Sequence, residues 1–193
     1  MALCVFCGSS KGVSARYAEA ADATGRALAR AGIDLVYGGG HIGLMGILAD
    51  AVLREGGRVI GVIPAALVAR ELAHDGLTEM HVVDTMHERK AMMAELSSGF
   101  IALPGGAGTL EELFEQFTWA QLGIHAKPCG VLDVAGYFAP LQAMVGRMVE
   151  EGFLHAEDAR ILMFEEDIGV LLERMLAFVP QAGAFRKSVA VQP

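Results

Sequence analysis

Residues 34–55 read DLVYGGGHIGLMGILADAVLRE. Leu35, Val36 and Tyr37 form a short apolar run of the kind that sits in a strand buried on both faces. Gly38, Gly39, Gly40 and Gly43 then break the chain into a turn. Residues 44–55 carry apolar side chains at helical spacing and are closed by Gly56 and Gly57. Strand, glycine turn and helix in that order make half of a βαβ unit. The pattern repeats outward. Strands are predicted at residues 2–7, 58–63, 81–84, 99–103, 128–133 and 161–164. Helices are predicted at 14–31, 86–98, 109–122, 138–151 and 167–178. Pro64 stops the third strand, and residues 64–80 read as mixed. The apolar runs lack polar alternation, which fits a sheet covered on both sides. The expectation is an α/β fold, a single Rossmann-like doubly wound parallel sheet with helices on both faces. It occupies residues 1–179, and a loose tail follows at 180–193. Ligands of such sheets bind beyond the carboxyl ends of the strands.

Composition narrows the function. The chain has 193 residues, 53% hydrophobic and 20% charged, with a formal net charge of −8. An acidic chain without a basic stretch argues against a nucleic-acid partner, yet leaves room for a small phosphorylated ligand. Three cysteines, Cys4, Cys7 and Cys129, offer no disulfide framework and fit a reducing compartment. Residues 1–8 lack the basic region of a signal peptide, and mean hydropathy is +0.43 without a span of about 18 uncharged apolar residues. A cytoplasmic protein with no membrane partner is expected.

Two glycine loops follow predicted strands. Gly38 to Gly43 matches G-x-G-x-x-G and suggests a dinucleotide oxidoreductase. It follows the second strand, however, and residues 58–64 hold no acid for a ribose hydroxyl. Tight packing and ligand contact are equally good readings of it. The second loop is sharper. Gly105, Gly106, Ala107 and Gly108 lead into Thr109 and a helix carrying Glu111 and Glu112. Convergent backbone N–H groups at a helix start suit a phosphate. There is no P-loop signature. The competing reading is a capping box formed by Thr109 and Glu112, which leaves three glycines unexplained.

Thr85 and Glu88 form another capping signature, placing Arg89 and Lys90 in the first turns of the next helix. Cations oppose the helix dipole there by about 0.3–1 kcal/mol each. Arg89 shares a face with Met92, Met93 and Leu96. It needs an anion: a carboxylate such as Glu112, a bound phosphate, or both. The alternative is a snorkelling arginine at a helix edge. Cys4 and Cys7 fall on opposite faces of a strand and read as core. The six histidines show no ligand spacing, so no metal is expected. Ser9 and Ser10 read as hydroxyl donors to a ligand or as plain loop residues.

The run from Pro104 to Glu112, PGGAGTLEE, resembles the P-G-G-x-G-T-x-x-E motif of the LOG ("Lonely guy") family, the cytokinin riboside 5′-monophosphate phosphoribohydrolases. Residues 86–90, MHERK, resemble the family's M-H-x-R-K segment, and the likeness extends over residues 1–178. It implies a homodimer that hydrolyses AMP or N6-modified AMP to base and ribose 5-phosphate, without metal, nicotinamide or other cofactor. Such sequences have also been labelled lysine decarboxylase, but no pyridoxal-phosphate site is read. Carried over, the resemblance makes Arg89 and Glu112 the catalytic pair. It assigns nucleotide binding to Lys90, Gly106, Ala107, Gly108, Thr109, Leu110, Glu111 and Thr118, and a substrate contact to Glu71. Aromatic residues are common in plant members where Ala107 stands. The 5′-phosphate would rest on the N–H groups of Gly105 to Thr109, and Arg89 would hold Glu112 ionised. The runner-up is a non-catalytic nucleotide or molybdenum-cofactor carrier, which needs the cradle but not the pair.

Overall fold

The computed structural model describes residues 1–68 and 72–179. Glu71 and the expected tail at 180–193 lie outside the described residues. The described chain runs β1 (Ala2–Phe6), α1 (Ala15–Arg30), β2 (Asp34–Tyr37), α2 (Gly43–Arg54), β3 (Val59–Pro64), α3 (Ala65–Val68), β4 (Glu79–Val83), α4 (Met86–Glu95), β5 (Phe100–Ala102), α5 (Ala107–Leu122), β6 (Cys129–Leu132), α6 (Ala139–Glu150), α7 (Ala156–Ala159), β7 (Leu162–Glu165) and α8 (Ile168–Leu176). A 3-10 turn at Val134–Gly136 follows β6.

The strands form a seven-stranded sheet in the order β4-β3-β2-β1-β5-β6-β7, and every pairing is parallel. The chain winds outward from β1 to β4, then returns to β5 on the other side of β1. Alternate residues of each strand feed two cores. Leu3, Val5, Leu35, Tyr37, Ile101 and Leu103 pack with Leu28, Leu48 and Leu171 from α1, α2 and α8. Cys4, Phe6, Val36, Phe100 and Ala102 pack with Met93, Leu113, Phe117 and Val145 from α4, α5 and α6. Cys4 and Cys7 therefore sit in different cores, both buried and free. Helices cover both faces, as the runs without alternation require.

Local chemistry sets most boundaries. Ser14 caps α1 by accepting from Arg16 N, and Asp167 caps α8 by accepting from Val170 N at 3.0 Å. Several boundaries differ from the sequence expectation, four of them instructively. The helix expected to reach residue 98 ends at Glu95. Ser97 turns its hydroxyl back onto the Met93 carbonyl, and the Ser98 N–H joins the Ala2 carbonyl of β1. The strand expected at 81–84 is shifted to Glu79–Val83, because the Asp84 N–H is taken by the Glu88 carboxylate. Pro64 does not stop β3 but ends it, paired with Val83, a position where a missing N–H is tolerated. The α5 helix starts at Ala107, two residues early. Gly106 is its N-cap, and Thr109 lies inside the first turn with no capping box.

Helices α1 and α2 cross in close contact at Gly25. A Cβ there would stand 2.6 Å from the Leu48 carbonyl oxygen and 2.7 Å from Ala51 Cβ. Backbone cannot yield as a side-chain tip can. Gly25→Val is expected to cost about 1–3 kcal/mol by overpacking. It would appear as a lower urea midpoint at unchanged slope.

Candidate functional site

The winding direction of the sheet reverses between β1 and β5. At such a point the loops that follow neighbouring strands diverge and leave a crevice. One of these loops, after β1, meets its neighbour where the Gly8 N–H bonds the Pro104 carbonyl at 3.1 Å. The other is the loop after β5, from Pro104 to Gly106, which opens α5.

Gly105 is needed for packing. A Cβ there would lie 2.1 Å from the Thr109 hydroxyl and 2.8 Å from Gly8 N. Gly106 and Gly108 are not explained this way, since a Cβ on either meets nothing within 4 Å, and neither has a left-handed φ. Gly108 lies within α5, where glycine costs roughly 1 kcal/mol against alanine. Gly106, Ala107 and Gly108 are all exposed. They carry N–H groups that an α-helix leaves without intrahelical partners at its start. The shape is an open, positively polarised backbone cradle. Thr109 is buried beneath it, 4% exposed.

Glu112 lies on α5 one turn beyond Gly108, on the same face. Arg89 approaches it from α4, with Nη1 3.8 Å from Glu112 Oε1. The arginine is buried, 9% exposed, so the snorkelling alternative fails. Its Nε donates to the Val62 carbonyl at 3.1 Å, and its Nη2 donates to the Gly38 carbonyl at 3.3 Å. These oxygens lie at the carboxyl ends of β3 and β2. The guanidinium fits because residue 38 is glycine: a Cβ there would stand 1.8 Å from Nη2. Of the two readings of the Gly38 to Gly43 loop, packing therefore accounts for Gly38. Gly43 packs too, having a left-handed φ of 63° and a notional Cβ 2.2 Å from the Ser9 backbone.

Burial pushes the Glu112 carboxyl above its ordinary range, and the Arg89 charge opposes this without reversing it. Arg89 thus favours the ionised form, as expected, while desolvation is the larger effect. Lys90, 8% exposed, donates from Nζ to Glu111 at 2.5 Å and to Glu115 at 2.9 Å. Burial works against its charge, but the two carboxylates outweigh it and hold the pKa up.

The other candidates scatter. Ser9 is exposed beside Gly43 at the rim. The Leu110 side chain packs against the α5 core. Thr118 is exposed on α5, roughly 14 Å along the helix axis from Thr109. Among the described residues no cluster of His, Cys, Asp and Glu is arranged to hold a metal. A hollow of about 620 Å³ lined by His41, Val68, Ala73, His74, Asp75 and Gly76 opens beside the loop after β2. Sequence reasoning missed Tyr137, whose hydroxyl donates to the Gly105 carbonyl at 2.5 Å. Nothing in the local pattern marks that contact.

A family model described as "Possible lysine decarboxylase" matches residues 45–175. Cytokinin riboside 5′-monophosphate phosphoribohydrolase LOG of Oryza sativa subsp. japonica is 49% identical over 179 residues, 93% of this chain and 74% of the rice protein. The Arabidopsis thaliana phosphoribohydrolase LOG1 is also 49% identical over 179 residues, 93% of this chain and 84% of its own. Among solved structures, the molybdenum cofactor carrier protein of Chlamydomonas reinhardtii has a TM-score of 0.70 at 18% identity, covering 92% of this chain and 98% of that one. The molybdenum cofactor binding protein of Rippkaea orientalis has a TM-score of 0.69 at 17% identity, covering 91% and 95%. At those identities the likeness is one of fold.

Two outcomes follow from the site's geometry. A carboxyl raised in the folded state favours the folded protein below the unfolded pKa, about 4.3, and this contribution is lost as pH rises through the folded value. Glu112→Gln should therefore raise the melting temperature relative to the parent at pH 7–8, with the gain shrinking toward pH 4. A gain that is constant with pH would contradict this. Gly38→Ala should displace the Arg89 guanidinium and abolish the 3.8 Å approach, checked by a crystal structure of the variant.

Proposed function

We propose, since the chain belongs to the LOG family of cytokinin riboside 5′-monophosphate phosphoribohydrolases, that it hydrolyses the N-glycosidic bond of AMP and its N6-modified forms. The products are free base and ribose 5-phosphate. The observation that carries the reading is the pairing of buried Arg89 with half-buried Glu112, one helical turn from an open glycine cradle.

The 5′-phosphate rests on the N–H groups of Gly106, Ala107, Gly108 and Thr109, and the helix dipole favours it there. Fixing the phosphate places the ribose over Glu112. As the C1′–N bond breaks, its electrons leave with the base, which takes up a proton from solvent, and positive charge grows on the ribose. The Glu112 carboxylate stabilises that charge and takes a proton from the water that attacks C1′. A raised pKa makes it a better proton acceptor. Arg89 holds the carboxylate in place, itself fixed by two strand-end carbonyls. Lys90 orders Glu111 and Glu115 on the adjacent face of α5. Ser9, Leu110, Thr118 and Glu71 complete the proposed contacts.

A decarboxylase acting through a Schiff base would need a lysine amine that loses its proton readily. Lys90, the lysine paired with α5 beside the cradle, is held charged instead, and Lys127, whose pKa burial lowers, is bonded to the Ala94 carbonyl. A cofactor carrier needs no carboxylate–guanidinium pair, which makes that reading the weaker one. We assign a homodimer, for which exposed Ile124, Met144 and Phe153 offer apolar surface. We also assign a cytoplasmic location, in keeping with three free cysteines. No helix among the described residues is long and apolar enough to cross a membrane.

Purified protein incubated with AMP or N6-isopentenyl-AMP should release base and ribose 5-phosphate. Arg89→Ala and Glu112→Ala should each lower kcat/KM by at least about a hundredfold. Undiminished turnover by Glu112→Gln would remove Glu112 from the mechanism. Absence of release from any nucleoside monophosphate, despite tight binding, would favour the carrier.

A further inference from the structure

We infer that Tyr137 is a positioning residue that locks the phosphate cradle in its binding shape, an inference that rests on the nucleotide reading of that cradle. The peptide between Gly105 and Gly106 is flanked by two glycines, so no side chain restrains its rotation. In a planar trans peptide the C=O and N–H point in opposite directions. Whatever holds the Gly105 carbonyl therefore also aims the Gly106 N–H. Tyr137 holds it, donating from Oη at 2.5 Å across 32 residues of sequence.

The turn that delivers this hydroxyl is held in an unusual backbone shape. Ala135 is left-handed at φ 55° and ψ 36°, the one non-glycine residue with positive φ among the described residues. Gly136 follows at φ 75°. Left-handed alanine is disfavoured and persists only where surrounding contacts impose it. Two contacts do so. The buried Asp133 carboxylate accepts from the Phe138 N–H at 2.6 Å, and the Phe138 ring is buried, 1% exposed. The Tyr137 ring is braced edge-on by Tyr17 of α1 at 5.7 Å between centroids. Tyr17 in turn lies under Gly12, where a Cβ would come within 2.7 Å of its ring. A chain of contacts thus links the loop after β1, the turn after β6 and the cradle after β5.

The ring, 41% exposed, packs edge-on against Tyr17 and Phe138, while the hydroxyl bonds the cradle. Tyr137→Phe separates the two. With base release from AMP as the assay, KM for AMP and the inhibition constant of ribose 5-phosphate should rise together, by about two- to tenfold. The inhibition constant of adenine should not change, and kcat should stay within about twofold. A merely structural role would weaken adenine and ribose 5-phosphate alike, and that result overturns the inference. So does an unchanged KM with an unchanged ribose 5-phosphate constant. If the parent protein releases no base from AMP, the hydrolase reading has failed on its own. Calorimetric titration with ribose 5-phosphate then decides Tyr137 separately. Binding weakened about two- to tenfold in the variant supports it, and equal binding, or none by the parent, overturns it.

Discussion

The arrangement turns on one buried charge. Arg89 sits in the opening turns of α4, where the helix dipole disfavours a cation, and it is 9% exposed. Burying it requires partners, and it draws them from three elements: the carbonyls of Val62 and Gly38 and the carboxylate of Glu112. The first two are carbonyls at the ends of adjacent parallel strands. The sheet therefore supplies a fixed negative rim, and the guanidinium is seated on that rim before any ligand arrives. Glu112 is thereby approached by a cation that cannot follow it, which is the condition for a preorganised charge pair. Residue 38 is bound into the same arrangement, because any side chain there collides with Nη2.

Sequence reasoning reached what is set by local periodicity and missed what is set by distance. The alternation of apolar runs and helical stripes led directly to the parallel sheet. The Thr85–Glu88 box was legible because both partners lie within one turn, and the structure forms it. Thr109 and Glu112 show the same spacing, yet the structure forms no box there. The Thr109 hydroxyl packs against Gly105 instead, and the helix begins at Ala107 with Gly106 as its N-cap. That outcome depends on how the β5 loop meets Gly8, which a local motif cannot encode. Arg89 announced its need for an anion through helix face and helix end. Its two carbonyl partners, 27 and 51 residues away, carry no side-chain signal. Tyr137 is hidden for the same reason, since its acceptor is a main-chain oxygen.

The solved structures that share the fold include carriers of molybdenum cofactor. A cradle of backbone N–H groups at a switch point is common property of open α/β sheets and selects a phosphate without selecting a reaction. In the proposed mechanism, reaction type is decided one helical turn deeper, by what stands behind the cradle. In this chain that is a carboxylate whose burial pushes its pKa up, faced by a guanidinium that two strand-end carbonyls hold.

The placement of β1 between β2 and β5 has a consequence for how the chain is made. At synthesis rates of about 5–20 residues per second, β5 emerges roughly 5–20 s after β1. Until then the central strand presents an unpaired edge, with Cys4, Val5 and Phe6 awaiting Phe100, Ile101 and Ala102. Strands β1 to β4 and their helices can associate first, but both walls of the crevice exist only once the second winding begins. The nascent first half is thus an aggregation-prone template, and closure of its open edge coincides with assembly of the crevice itself.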